Sequence, residues 1–215
     1  MTDERSQSIR DSYDCIAEEY ASRIYNELKG KPFDRELLTR FANQVRGRGA
    51  VWDVGCGPGH VTHYLESLGV NASGLDISPK MVELAQRLNP ETNFRVGDML
   101  ELGLREGSLV GIVAFYAIVN IPKESLPIVF AEMFRALQAG GLLLMAFHMG
   151  DEAAHYDQLW GRPVSLDFFY FQPAEIRNLL EAAGFTIEEV LEREPYAPEV
   201  EHQSRRAYII AKASK

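Results

Sequence analysis

Residues 51–60, VWDVGCGPGH, set three glycines and a proline directly behind an apolar run. Neither a helix nor a strand continues well through such a stretch, because glycine loses the most backbone freedom on ordering and proline lacks the N–H donor. A strand, a sharp turn and a new helix fit it better. Val51–Val54 reads as a buried strand, and the segment from about Gly59 to Leu68 as the helix that follows.

The same rhythm continues down the chain. NASGLDI (71–77) is a second strand, and Ser78–Leu88 is a helix with Ser78 as N-cap and Pro79 at the first helical position. TNFRVGD (92–98) supplies a third strand. The run 109–116 is a fourth, too continuously apolar to have a solvent face, as befits a central parallel strand. Leu126–Leu137 is helical, with Gly140-Gly141 closing it before a strand over Leu142–Phe147. Pro173–Ala183 is a helix ended by Gly184, and two last strands fall at Phe185–Arg193 and Ala207–Ala211. Regular strand and helix alternation predicts an α/β fold: a three-layer sandwich around a seven-stranded, mainly parallel sheet.

Two stretches break the rhythm. Residues 1–45 carry apolar spacing at Ile9, Tyr13, Ile16, Ala17 and Tyr20, which predicts one helix there and another over Asp34–Val45, together an N-terminal helical cap of the domain formed by 46–215. The insertion 149–172 is rich in aromatic residues and follows the fifth strand. It reads as a long loop beyond the carboxyl ends of parallel strands, where α/β proteins place ligands.

Composition narrows the partners. The chain has 215 residues, 46% hydrophobic and 25% charged, so one domain with a substantial core is expected. Its longest apolar run, 109–119, is about half of the ~20 residues a bilayer span needs, and the N-terminus has no signal-peptide pattern. A net charge of −9 disfavours nucleic acid and anionic membranes as partners. Cys15 and Cys56 lie in no metal-ligand spacing and suit a reducing compartment. These features predict a cytoplasmic protein, monomer or homodimer, with a small-molecule partner, no nucleic acid, no stable membrane insertion and no metal.

The glycine turn fits neither common phosphate motif. The dinucleotide fingerprint G-x-G-x-x-G would need a glycine at His60, and no Gly-Lys-Ser/Thr follows to make a phosphate loop. Instead an acid stands at the carboxyl end of three successive strands: Asp53, Asp76 and Asp98. Asp76 is placed to accept both hydroxyls of a ribose, and Asp98 an exocyclic adenine amine. The set describes a nucleoside pocket without a phosphate demand.

In order along the chain, VWDVGCGPG, GLDIS, GDML, GIVAFYAIVNIP and LQAGGLLLMAF, with the closing AGFTIEEV and RRAYIIAKA, resemble the motifs of class I S-adenosylmethionine-dependent methyltransferases, the broad group that includes ubiquinone and menaquinone biosynthesis methyltransferases. The resemblance covers residues 35–213. It implies a Rossmann-like fold with an antiparallel last strand, and S-adenosyl-L-methionine as cofactor. It further implies that Asp53 and the backbone of Gly55, Cys56, Gly57 and Gly59 hold the methionine end, Asp76 the ribose, Asp98 and Met99 the adenine. Ile77 is expected to pack on the purine and Phe115 to line the methionine arm, while Tyr13 and Tyr20 resemble tyrosines that close over the site in several relatives. Where many relatives have histidine, this chain has Asn120.

Methyl transfer from a sulfonium is an in-line displacement with a good leaving group, so positioning and desolvation supply most of the catalysis. For a hydroxyl or ammonium acceptor a base is useful. His148, His155, Tyr116 and Tyr170 are the candidates, with His148 equally readable as a structural hydrogen-bonding residue. His202 is a further group that a folded-back loop would bring to the mouth. Trp160, Phe168, Phe169, Tyr170 and Phe171 form either a wall for an apolar or aromatic acceptor or a cluster covering the sheet edge. AFYAIV lacks the Asn/Asp-Pro-Pro-aromatic motif of base-amino methylation, and no Pro-Cys nucleophile is present. A protein or nucleic-acid methyltransferase, a nicotinamide dehydrogenase and a non-catalytic cofactor-binding protein are the rival readings.

Overall fold

A computed structural model describes residues 3–215. Seven strands form one sheet in the order β3-β2-β1-β4-β5-β9-β8: β1 (Ala50–Val54), β2 (Asn71–Asp76), β3 (Asn93–Val96), β4 (Leu109–Phe115), β5 (Leu137–His148), β8 (Phe185–Arg193) and β9 (Arg206–Ala213). Parallel ladders join β3 through β5, and β9 runs antiparallel to both of its neighbours, β5 and β8. The predicted three-layer architecture and the antiparallel last strand are therefore present.

Strand alternation sorts the core into two faces. Trp52, Val54, Ile112, Ala114, Leu143, Met145, Ile209 and Ala211 pack under α5 (Leu126–Ala136) and α6 (Pro173–Ala182), through Val129, Phe130, Ile176 and Leu180. Val51, Val113, Leu144, Tyr208 and Ile210 face the other way, against α2 (Pro32–Val45) and α3 (His60–Ser67) through Leu37, Phe41, Val61 and Leu65. Each fully buried Val, Leu, Ile, Phe or Met side chain among them contributes about 1.5–3 kcal/mol. The two helices expected to cap the sheet thus differ in role: α2 is part of a sheet layer, whereas α1 (Asp3–Ile24) packs Ala17 and Ala21 on Met81 and Leu84 of α4 (Pro79–Leu88). The predicted N-cap of α4 is observed, with the Met81 N–H donating to Ser78 Oγ at 3.0 Å.

Two local readings need correction. Gly140-Gly141 does not separate α5 from its strand. Leu137 already pairs with Leu109, residues 138–141 bulge out, and regular pairing resumes at Gly111 with Leu142. The insertion 149–172 is not a long loop: β6 (Ala153–Leu159) and β7 (Arg162–Phe169) form an antiparallel hairpin. Its tip, Trp160-Gly161, holds both residues at positive φ, 51° and 76°, as a two-residue type I′ turn requires. Among the described residues, no helix is long and apolar enough to cross a membrane.

Candidate cofactor-binding site

The parallel strands β1, β2 and β4 end together at one edge of the sheet, and a pocket opens there between the strand ends and α1. Its wall includes Gly55, Cys56 and Gly57 after β1, Asp76 and Ile77 at the end of β2, Asp98 and Met99 after β3, and Phe115 and Tyr116 at the end of β4. Tyr20 closes it from α1. Nine of the eleven expected cofactor residues meet around this one space: Tyr20, Gly55, Cys56, Gly57, Asp76, Ile77, Asp98, Met99 and Phe115.

Asp76 is the most constrained of them. Its Oδ2 accepts the Gly57 N–H at 2.8 Å and its Oδ1 the Ser78 N–H at 2.9 Å. Burial pushes its pKa up to about 6, with the N–H groups of Ser78 and Gly57 pulling the other way. Asp98 is held differently: Oδ1 accepts the Leu100 N–H at 2.9 Å, and Oδ2 accepts the Ser6 hydroxyl of α1 at 3.2 Å.

Asp53 and Gly59 do not line the pocket. Alternation along β1 puts Asp53 on the Val51 face, under α3, where Thr62 donates its hydroxyl to Oδ2 at 2.7 Å. Burial lifts Asp53 to about 6, the Thr62 hydrogen bond opposing that rise. Gly59 caps α3 at φ 81°, and a Cβ there would lie 2.6 Å from Phe94 Cζ. A Cβ on Gly55 would lie 2.6 Å from the Ala117 Cβ, while one on Gly57 meets only Tyr20 Cε1, at 3.7 Å. Bare backbone is thus demanded by neighbouring protein at two of the three positions.

The α1 helix lies across the pocket and is tied down along its length. Arg10 Nε donates to the Ile77 carbonyl at 3.2 Å, and Asp14 Oδ1 accepts from Ser78 Oγ at 2.5 Å and from the Lys80 N–H at 2.9 Å. The Tyr13 hydroxyl donates to Asn120 Oδ1 at 2.7 Å, and Asn120 Nδ2 donates onward to the Asp167 carbonyl at 2.8 Å. Asn120, 5% exposed, thereby joins the lid helix, the end of β4 and the hairpin. Trp160 at the hairpin tip packs edge-on to Tyr20, ring centroids 5.9 Å apart.

An acid at the end of β2, a second at the end of β3, apolar side chains between them (Ile9, Ile77, Met81, Ile121) and a glycine turn facing aromatic rings fit an adenosine bearing an uncharged or cationic arm. His60 also borders the pocket, and its Nδ1 is buried without a hydrogen-bond partner in the protein, an unmet capacity that a polar ligand can satisfy. The donor set fits S-adenosylmethionine.

Comparison with known proteins agrees. Residues 51–141, from β1 into β5, match the family described as "Methyltransferase domain". These residues carry a methyltransferase domain. A probable S-adenosylmethionine-dependent methyltransferase of Mycolicibacterium smegmatis is 28% identical over 72% of this chain and 58% of its own length. The 2-methyl-6-phytyl-1,4-hydroquinone methyltransferase of Synechocystis is 32% identical over 53% of this chain and 37% of its own. The chain therefore spans less than two thirds of the length of these curated relatives, 58% of one and 37% of the other. In fold, the domain superposes on the Synechocystis magnesium protoporphyrin IX methyltransferase, crystallised with bound S-adenosylmethionine, with a TM-score of 0.74 at 19% identity, covering 98% of this chain and 97% of that one.

Of the four expected bases, Tyr116 lines the pocket, whereas His148, Tyr170 and His155 stand apart from its wall. His148 stacks behind Tyr116, ring centroids 5.0 Å apart, with its Nδ1 2.7 Å from Ser204 Oγ. Burial, helped by the Arg206 charge, holds it down at about 3, so it is neutral at pH 7. Tyr170 lies on the far side of His148, its hydroxyl 3.2 Å from His202 Nε2. His155 sits on the half-exposed hairpin between Asp167, 2.7 Å away, and Asp157, 3.2 Å away, because the insertion folds as strands and turns that residue outward. The aromatic wall also takes its blander form: Phe171 belongs to the core under α6, Phe168 packs on Tyr156, and none of the five rings lines the pocket.

Glu27 and His60 border the pocket and were not expected to. Glu27 belongs to no motif, and only its place after a long polar helix could have drawn notice.

Proposed function

We propose that this protein transfers a methyl group from S-adenosylmethionine to a small, apolar or aromatic acceptor. The observation that carries the reading is the meeting of Asp76, Asp98 and the Gly55–Gly57 turn around one pocket under α1. The acceptor class is supported by the rings of Tyr13, Tyr20, Phe115 and Tyr116 in that wall, and by the hydroquinone and porphyrin named for two similar proteins.

When bound, the cofactor supplies a methyl group on a positively charged sulfur. The chain then has three tasks. Asp76 and Asp98 fix the nucleoside through charge-assisted hydrogen bonds. The clamp of α1 excludes water, so the aromatic wall offers an attacking atom little competing solvation. Tyr13 and Tyr116, the former hydrogen-bonded to Asn120 and the latter to Tyr208 at 3.2 Å, position the acceptor. Burial raises the pKa of both hydroxyls, so they act as neutral hydrogen-bonding groups. No step depends on His155.

The reading is tested by incubating the protein with methyl-labelled S-adenosylmethionine and fractionated small-molecule extracts. Label should move to an organic-soluble product with equimolar S-adenosylhomocysteine. Binding of the cofactor with no transfer to any fraction would favour the non-catalytic reading, and transfer only to added protein or nucleic acid would replace the acceptor class.

A further inference from the structure

Glu27 is an ionised carboxylate set in the pocket wall. It begins the short helical turn Glu27–Gly30 that follows α1, and its side chain is only 14% exposed. Oε2 pairs with Lys31 Nζ at 2.7 Å, and Oε1 lies 3.2 Å from His60 Nε2. Burial alone would raise its pKa, but the His60 hydrogen bond and the Lys31 charge outweigh burial and hold it at about 2. Lys31 does not belong to Glu27 alone, since Glu201 Oε2 stands 3.6 Å from the same ammonium.

Its position along the pocket identifies which part of a nucleoside ligand it would meet. Ser6 of α1 bonds Asp98, and a helical rise of 1.5 Å per residue puts Ile24 about 27 Å further along. Glu27 therefore borders the end of the pocket opposite Asp98, 3.2 Å from His60, which begins the helix that follows the glycine turn. Asp53, the acid expected at that end, is committed to Thr62 and does not line the pocket.

We propose that Glu27 receives the α-ammonium of the cofactor's amino-acid tail, with His60 as the positioning residue that orients the carboxylate. This rests on the S-adenosylmethionine reading above. A buried carboxylate already ionised near neutral pH exchanges no proton when an ammonium arrives, and attraction between charges is stronger beside the Tyr20 and Tyr116 rings than in water. A second consequence concerns the lid. Because Glu27 lies three residues beyond the end of α1, contact with the tail adds a ligand-dependent tie at that end of the lid, near the 2.6 Å bond from the Tyr25 hydroxyl to Asn89 Oδ1.

Calorimetry with S-adenosylhomocysteine and with 5′-methylthioadenosine separates the tail from the nucleoside, since the second compound keeps the adenosine and thioether but lacks the amino acid. Glu27→Gln should weaken S-adenosylhomocysteine binding by roughly ten- to a hundredfold, the range for a charged hydrogen bond, and leave methylthioadenosine binding within about twofold. His60→Gln should reduce the same selectivity by a smaller factor. Unchanged S-adenosylhomocysteine affinity in Glu27→Gln, as expected if the carboxylate serves an amine acceptor instead, overturns the inference. Equal loss for both ligands also overturns it, assigning Glu27 to the fold of the lid. If the unmodified protein binds neither compound, the cofactor reading itself falls, and the inference with it.

Discussion

Asp76 combines two backbone N–H bonds with a pKa near 6, and that combination makes pH a probe of the site. Its folded pKa is raised above the ordinary value of 3.8. The unfolded chain thus gives up the proton first, and this residue's contribution to stability is full below about pH 3.8 and lost as pH rises to 6. Ligand affinity should run the other way, because ribose hydroxyls are bound more strongly by the ionised carboxylate. Binding of S-adenosylhomocysteine should weaken as pH falls from 7.5 to 5, by up to about tenfold per unit below the pKa. Asp76→Asn should bind about tenfold or more weakly at pH 7.5 and lose that slope, which calorimetry at stepped pH checks. Gly59→Ala probes the turn. With φ at 81° and Phe94 Cζ 2.6 Å from the new methyl, it should cost roughly 2–4 kcal/mol in a denaturant titration. Gly57→Ala, with room beside it, should cost about 1–2 kcal/mol. The glycines were legible as a turn because glycine and proline punctuate a chain so strongly. Their cause was not, because Phe94 and Ala117 lie far off in sequence. The surroundings of Asp53 were hidden for a similar reason: its motif position is plain, but the Thr62 partner on its face of β1 becomes visible only when α3 is packed.

Among the elements, α1 is held chiefly by polar contacts. In its 22 residues the buried apolar side chains are Ile9, Ile16, Ala17 and Ala21, whereas the 11 residues of α5 bury Leu126, Val129, Phe130, Met133 and Ala136. Segments with few buried apolar contacts open at low free energy. Amide exchange should therefore be faster in α1 than in α5, and α1 should gain protection on binding S-adenosylhomocysteine while α5 changes little. No change in α1 would mean that it does not close on the ligand. The long periodic elements were readable from sequence, including the N-cap at Ser78 and the strand Phe185–Arg193. The hairpin was not. Pro163 stands at the start of β7 and argues against a strand, and the exposed β6 offers no apolar face. The turn signal Trp160-Gly161 was present, but a bulky residue at positive φ is uncommon enough to be passed over.

At the scale of the molecule, the three-layer α/β class was legible in the alternation of strands and helices, whereas the strand order is set by how the crossovers pack and appears only in the folded sheet. What composition could not convey is a buried charge network beside the pocket. Arg193 pairs with Glu201 at 2.5 Å and with Asp34 at 3.2 Å, and Arg206 pairs with Glu201 at 3.1 Å. These groups lie on α2, on β8 and β9, and in the segment between those two strands, so no local window of sequence contains them. They anchor that segment against α2 and reach the pocket through Tyr208 and Tyr116, whose hydroxyls are 3.2 Å apart. An adenosine pocket of this kind differs from a dinucleotide site in what it admits, and calorimetric titration of the purified chain with S-adenosylhomocysteine and, in parallel, with NAD separates the two. One saturable site per chain is expected for S-adenosylhomocysteine, weakened in Asp76→Ala, with no heat of binding for NAD; saturable binding of NAD with none of S-adenosylhomocysteine would overturn the adenosine-pocket reading.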